Sequence, residues 1–225
     1  MFYDPTMLLL IPVLILSIYA QFKVKSTYEK YSKVPSTWGR SGAVVARDIA
    51  NHNQLNDVEI EEGEGVLSDH YDPRTKKVVL SPANYNNPSI SALSVAAHEL
   101  GHAIQHKTGY APLQWRHTIL PVTNIGSNLA FPLFLIGMIM SIAPLMKIGI
   151  LLFTGIVIFQ LITLPVEFNA SARAIRILQN GGYLTPQEVP MARQVLNAAA
   201  MTYVAATAVA LVHLLRLVLL SRSRD

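Results

Sequence analysis

Cysteine is absent from this 225-residue chain and charge is scarce, with 14% of residues charged and 51% hydrophobic. The first absence excludes disulfides and thiolate metal sites, so any bound metal must be held by His, Asp or Glu. It leaves the redox compartment open. The second, about half the usual share of charge, points to a membrane protein. A net charge of +4 is too small and too dispersed to indicate nucleic acid. The Lys and Arg residues flank apolar segments and form no interleaved basic and aromatic stripe. Internal repeats and low-complexity tracts are also lacking.

What is present is a set of apolar runs. Residues 5–22 are uncharged and approach the roughly 20 residues that cross a bilayer as a helix. Asp4 precedes this run and Gln21-Phe22-Lys23 follows it, the reverse of a cleaved signal peptide, so it is expected to stay as an anchor. Between Arg116 and Glu167 the only charged residue is Lys147. Lying beside Pro144 and Gly149, it divides this stretch into a transmembrane hairpin. A fourth run, 198–220, is interrupted by His213 and Arg216. About four transmembrane helices are expected. Lys23, Lys25, Lys30, Lys33 and Arg40 follow the first span with no Lys or Arg before it, which places the polar region in the cytoplasm. Arg173, Arg176 and Arg193 agree with that side, whereas Arg222 and Arg224 break the rule if the last run crosses.

The polar region, 23–117, reads as a compact domain. A short helix is expected over 40–52, strands over 58–60 and 77–80, and a turn at Asp72-Pro73-Arg74-Thr75. The strand over 77–81 is a candidate edge for an extended peptide. Asn87 can cap a helix with Pro88 at its first position, running to Lys107 and ended by Gly109. Thr185-Pro186-Gln187-Glu188 has capping-box spacing after the Gly181-Gly182 break and opens the last helix, with a kink expected at Pro190.

Inside the helix that ends at Lys107 lies His98-Glu99-Leu100-Gly101-His102. This H-E-x-x-H spacing sets two imidazoles one turn apart on one face, able to grip one zinc ion. Glu99 sits beside them, rotated by about 100°, where its carboxylate can take the proton of a water activated by the metal. Chance alone yields the pattern in roughly one such chain in a hundred, and its helical setting lowers those odds. His106 continues the series, but eight residues rise about 12 Å, too far to share an ion with His98. A catalytic site needs a third protein ligand and an open fourth position. Carboxylates and the remaining histidines are candidates, with Asp69, His70 and Asp72 among them. Glu167 stands out as the only acid between Glu99 and Glu188. The rival reading pairs it with Arg173. The motif helix carries Ser89, Ser91, Ser94 and Gln105 besides its histidines, too polar to cross lipid itself.

Four stretches in order carry a family likeness: Leu67-Ser68-Asp69-His70-Tyr71-Asp72-Pro73-Arg74, then Val95 to Ala103, then Glu167-Phe168-Asn169-Ala170-Ser171-Ala172-Arg173, then Thr185-Pro186. Over nearly its whole length the chain resembles the YugP-type family of bacterial membrane zinc metallopeptidases, and more distantly the HtpX-type membrane proteases. The resemblance implies an α+β zincin-like, gluzincin fold with mostly helical membrane segments. It implies one Zn2+ per chain on His98, His102 and Glu167, with Glu99 as general base. It further implies hydrolysis of peptide bonds in protein or peptide substrates, membrane proteins included, at the bacterial cell membrane. The corresponding division is an anchor (1–22), a catalytic domain (23–117), the hairpin (118–166), a third-ligand helix and linker (167–197) and a C-terminal apolar helix (198–225). HtpX-type proteases carry an Asp four residues after the ligand Glu, where this chain has Ser171. Asp69 or a backbone carbonyl is then expected to serve the imidazoles, and Arg173 or His70 an oxyanion. The alternative function is a membrane scaffold or chaperone that holds zinc without proteolysis, against which an intact Glu99 argues.

Overall fold

The apolar runs become helices at least as long as a bilayer needs in a computed structural model of the chain, which describes residues 5–65 and 68–222. Asp4, Leu67 and Arg224 lie outside them. A 3-10 turn, Pro5–Leu9, leads into α1 (Leu10–Ser32). Then follow α2 (Gly42–His52), β1 (Glu59–Glu62), β2 (His70–Asp72), β3 (Lys77–Leu80), α3 (Pro82–Asn86) and α4 (Ile90–Lys107). Three long helices complete the chain: α5 (Ala111–Ile139), α6 (Ala143–Asn180) and α7 (Val189–Arg222). Among the described residues four segments are long and apolar enough to cross a membrane, namely Thr6–Ser32, α5, α6 and α7. The motif helix α4 is not among them, in keeping with its polar sequence.

Contacts divide the chain into two units, Phe22–Ala111 with Val166–Met201, and Met1–Gln21 with Pro112–Pro165 and Thr202–Asp225. The division falls inside α1, α6 and α7. In the first of these units α4 is the buried axis: Ile90, Leu93, Ala96, Ala97 and Leu100 are fully enclosed, and Val45 and Ile49 of α2, Val78 and Leu80 of β3, and Ala174 and Leu178 of α6 join the same core. The sheet has the order β1-β3-β2, with β1 parallel to β3 and β2 antiparallel. The strand at Lys77–Leu80 is therefore central, not the peptide-docking edge expected from sequence. β1 and β2 hold the edges.

The other unit is helical, and its helices meet through small residues. A Cβ on Gly149 of α6 would lie 2.7 Å from the Ala130 carbonyl of α5, so glycine permits backbone to approach backbone there. Phe134, Met146 and Leu217 form its small core, while Ile18, Ile139 and Leu151 point outward. Arg216 Nε donates to Thr6 Oγ1 at 3.1 Å, which gives the charge inside the last apolar run a partner.

Several helix ends differ from expectation for physical reasons. The hairpin turns at Met140-Ser141-Ile142, ahead of Lys147, which lies within α6. Ser141 takes the left-handed conformation (φ 57°) and the Ile142 N–H reaches back to the Gly137 carbonyl, an end usually built on glycine. Gly109 and Gly182 end α4 and α6 in the same way. Asn87 and Pro88 stay extended because Pro35 bridges to Ser89 and the Ser36 N–H donates to the Pro88 carbonyl. The cap falls to Ser89, whose Oγ accepts from the Ala92 N–H. Glu188 closes the capping box by accepting from the Thr185 N–H and Oγ1, and also from Thr37. Pro190 sits in the first turn of α7, where no intrahelical donor is needed, so it does not kink the helix.

Candidate metal centre

The centre is built where α4 and α6 touch backbone to backbone. A Cβ on Gly101 would lie 2.8 Å from the Ala170 carbonyl, so only glycine lets α6 approach this closely. That approach sets Glu167, one turn before Ala170, beside the two imidazoles of α4. One oxygen, Glu167 Oε2, lies 3.3 Å from His98 Nε2 and 3.6 Å from His102 Nε2. The rings meet edge to face with centroids 4.7 Å apart. One ligand atom from each of the three side chains falls within 4.8 Å of the other two, so the group could hold a single metal ion.

The far sides of both rings are engaged. Gln105, fully buried, donates its Nε2 to the Val166 carbonyl and to Asn169 Oδ1. A carbonyl can only accept, which fixes the amide so that its Oε1 faces His102 Nδ1 at 3.0 Å. Nδ1 then carries a proton, so that in the neutral ring the lone pair is on Nε2, the nitrogen that faces Glu167. Ser171 Oγ holds His98 Nδ1 at 3.2 Å. Ser171, at the position where the resemblance leads one to expect Asp, thus still contacts the His98 ring, through a hydroxyl.

Charge balance favours a cation at the midpoint. Burial raises the Glu99 carboxyl above the usual carboxylate range; Glu167 and Asp69 add to this and the two histidines oppose it. Burial disfavours the His102 imidazolium, yet Glu167 and Glu99 outweigh it and hold the ring above its ordinary value. Two imidazoles and a carboxylate on one point match the donor set of a catalytic zinc site.

Other sequence candidates lie elsewhere. Asp69 accepts from Ser81 and Asn84, and Asp72 from Arg74. His70 is exposed, with Nδ1 on the Ser68 carbonyl. Arg173 Nε donates to Asn169 Oδ1, and its guanidinium lies over the Tyr110 ring. His106 is bonded to the Tyr71 hydroxyl at 2.8 Å. Gln105, Asn169 and Gly101 form the surroundings that sequence reading passes over. The available signals are small: a glutamine three residues after His102, an asparagine two after Glu167, and a glycine where a helix prefers any other residue but proline.

With this geometry in place, comparison decides the family: residues 6–222 match the model of a family described as "Putative neutral zinc metallopeptidase". The chain belongs to this zinc metallopeptidase family. The metal of the family is zinc, and the His98, His102 and Glu167 group is able to receive it. The chain is 52% identical over 212 residues, 94% of each chain, to "Putative membrane protease YugP" of Bacillus subtilis (strain 168). No solved structure matches.

Proposed function

We propose that this chain is a membrane-bound zinc endopeptidase of gluzincin type, in which His98, His102 and Glu167 hold the ion and Glu99 is the general base. The observation that carries the reading is the convergence of both Nε2 atoms on one oxygen of Glu167, with both Nδ1 atoms occupied behind them. Zinc, when bound, polarises a carbonyl and lowers the pKa of water towards about 7. Glu99 takes a proton from the attacking water and delivers it to the leaving amine. Burial raises its carboxyl above the usual carboxylate range, which favours holding that proton between the two transfers. The helix–sheet unit around α4 supports the zincin-like assignment.

The test is Glu99→Gln. Peptide hydrolysis should fall by about 10²–10⁴-fold, the usual contribution of a positioned base, with zinc near one per chain by elemental analysis. Activity near wild type would sink the assignment of the base, and loss of zinc would make Glu99 part of the metal shell. A scaffold that holds zinc without chemistry would show no metal-dependent cleavage in either form.

The unit containing α4 is assigned to the cytoplasmic face of a bacterial cell membrane, on the strength of the Lys and Arg residues after the first span. Reporter fusions after Ser36 should give a cytoplasmic signal, and an exported signal there would invert the topology.

A further inference from the structure

The groove between α6 and α7 in the unit that carries the metal centre has no part in the chemistry above. It encloses about 300 Å³. Arg176, Arg193, Gln179 and Asn197 supply its polar wall, and Phe168 and Leu196 its apolar one. Both arginines are exposed, neither has an ion pair among the described residues, and no carboxylate lines the groove. Two guanidinium forks beside two amides match the oxygens of a phosphate group.

The groove is polarised along its length. Phe168, 49% exposed, lies two residues beyond Val166, the end of the apolar run of α6, and Asn197 directly precedes that of α7. Arg176 lies eight residues beyond Phe168, about 12 Å farther along the helix. Arg193 lies one turn before Asn197, and Gln179 lines the groove with it, so the two helices run antiparallel and their cationic ends coincide. A ligand with an anionic head and an apolar body fits that order; a soluble anion leaves the apolar end unused. The groove also opens on a different face of α6 from the metal. Glu167 and Ala170 face α4, whereas Phe168, Ala172 and Gln179 are turned away by the roughly 100° that each residue adds. Only Ser171 belongs to both sides.

We propose that this groove binds the phosphate of an anionic phospholipid headgroup, with Arg176 and Arg193 as its charge. The inference rests on the reading of the apolar runs as bilayer spans. Basic residues at a membrane surface contribute about 1 kcal/mol each towards anionic lipid, which is about five-fold in affinity per arginine.

The full chain, reconstituted in nanodiscs of phosphatidylcholine alone or mixed with phosphatidylglycerol, is examined by native mass spectrometry for retained lipid. Wild type should retain phosphatidylglycerol selectively. Arg176→Gln should weaken retention about five-fold and the double variant with Arg193→Gln about 25-fold. Lysine at both positions should keep most of it, and Arg40→Gln, outside the groove, should change nothing. Equal retention by wild type and the double glutamine variant overturns the proposal. So does displacement of the lipid by inorganic phosphate alone at comparable concentration, which would make the groove a site for free phosphate. A double variant that alters cleavage of acidic peptides in detergent without altering lipid retention makes it a substrate subsite instead. Carbonate extraction separates failure of the underlying reading: release of the wild-type chain from membranes removes the bilayer spans and the lipid site with them.

Discussion

The two units of this chain use apolar residues in opposite ways. Around α4 they are inside, and the enclosed Gln105, Glu167, Asn84 and Ser91 are all bonded; among the described residues only Ser36 Oγ and Ser68 Oγ are fully buried side-chain atoms without a hydrogen-bond partner. In the helical unit the order is inverted, with Leu151 and Ile139 each 71% exposed and a small core cluster of Phe134, Met146 and Leu217 among the described residues. Large exposed apolar faces are unfavourable in water and neutral against lipid chains, so the difference identifies the solvent each unit is built for. It also explains where chemistry can be kept. Buried polar networks need a packed surround that satisfies every donor and acceptor, and only the unit around α4 supplies one.

The largest effect expected from breaking that surround is at Glu167. Glu167→Ala removes one of three groups on the shared point and should weaken zinc by more than the 10–100-fold typical of changes behind a ligand, whereas Arg173→Ala should leave the metal largely bound. If Glu167 were the salt-bridge partner of Arg173, the two variants would behave alike. Zinc content of both purified proteins distinguishes the cases, and full occupancy in Glu167→Ala would remove it from the shell.

Much of this site is legible in sequence because its parts are local. Two histidines four apart define a face once a helix is recognised, and Glu167 stands out as an isolated acid directly after a long apolar run. The sheet is less legible, since strands of three or four residues hold too little pattern to rank them, and β3 is central because it pairs with β1 across a longer interval as well as with the adjacent β2. Helix ends divide by chemistry. Those at Gly109 and Gly182 are visible as glycines, whereas Gln54 and Ser141 take the same left-handed conformation (φ 53° and 57°) with side chains that give no sign of it. Ser89 replaces Asn87 as a cap because of a bridge to Pro35 that no local rule contains. Behind the imidazoles the His102–Gln105 bond is local, whereas those of Ser171 to His98 and of Gln105 to Val166 join residues more than sixty positions apart and exist only once α4 and α6 have packed.

The comparison of solvents is sharpened by one charged substitution in each unit. Leu151→Arg, on the outward face of α6, should cost about 3 kcal/mol if lipid surrounds it, read as a loss of membrane insertion or of thermal stability in bilayers. Val44→Arg on α2, 40% exposed, should stay within about 0.5 kcal/mol because that face meets water. Equal and small costs at both positions would show that Leu151 does not face lipid.

The change that probes the buried network most directly is at Gln105. Its side chain makes three bonds at once: Oε1 accepts from His102 Nδ1, and Nε2 donates to the Val166 carbonyl and Asn169 Oδ1. Gln105→Ala frees the His102 ring to rotate or change tautomer and leaves the Val166 carbonyl buried without its donor. Zinc affinity, measured by competition with a chelator, should fall by about 10–100-fold, while peptide hydrolysis at saturating zinc should fall much less. Gln105→Glu divides the two roles. A carboxylate still accepts from Nδ1, so affinity should recover towards wild type, but it cannot donate to the Val166 carbonyl. Thermal stability should therefore stay reduced, by about 1–3 kcal/mol for the unpaired group. Recovery of both properties in the glutamate variant would mean that the amide donors carry nothing, and recovery of neither would mean that Gln105 acts through packing rather than through the ring it faces.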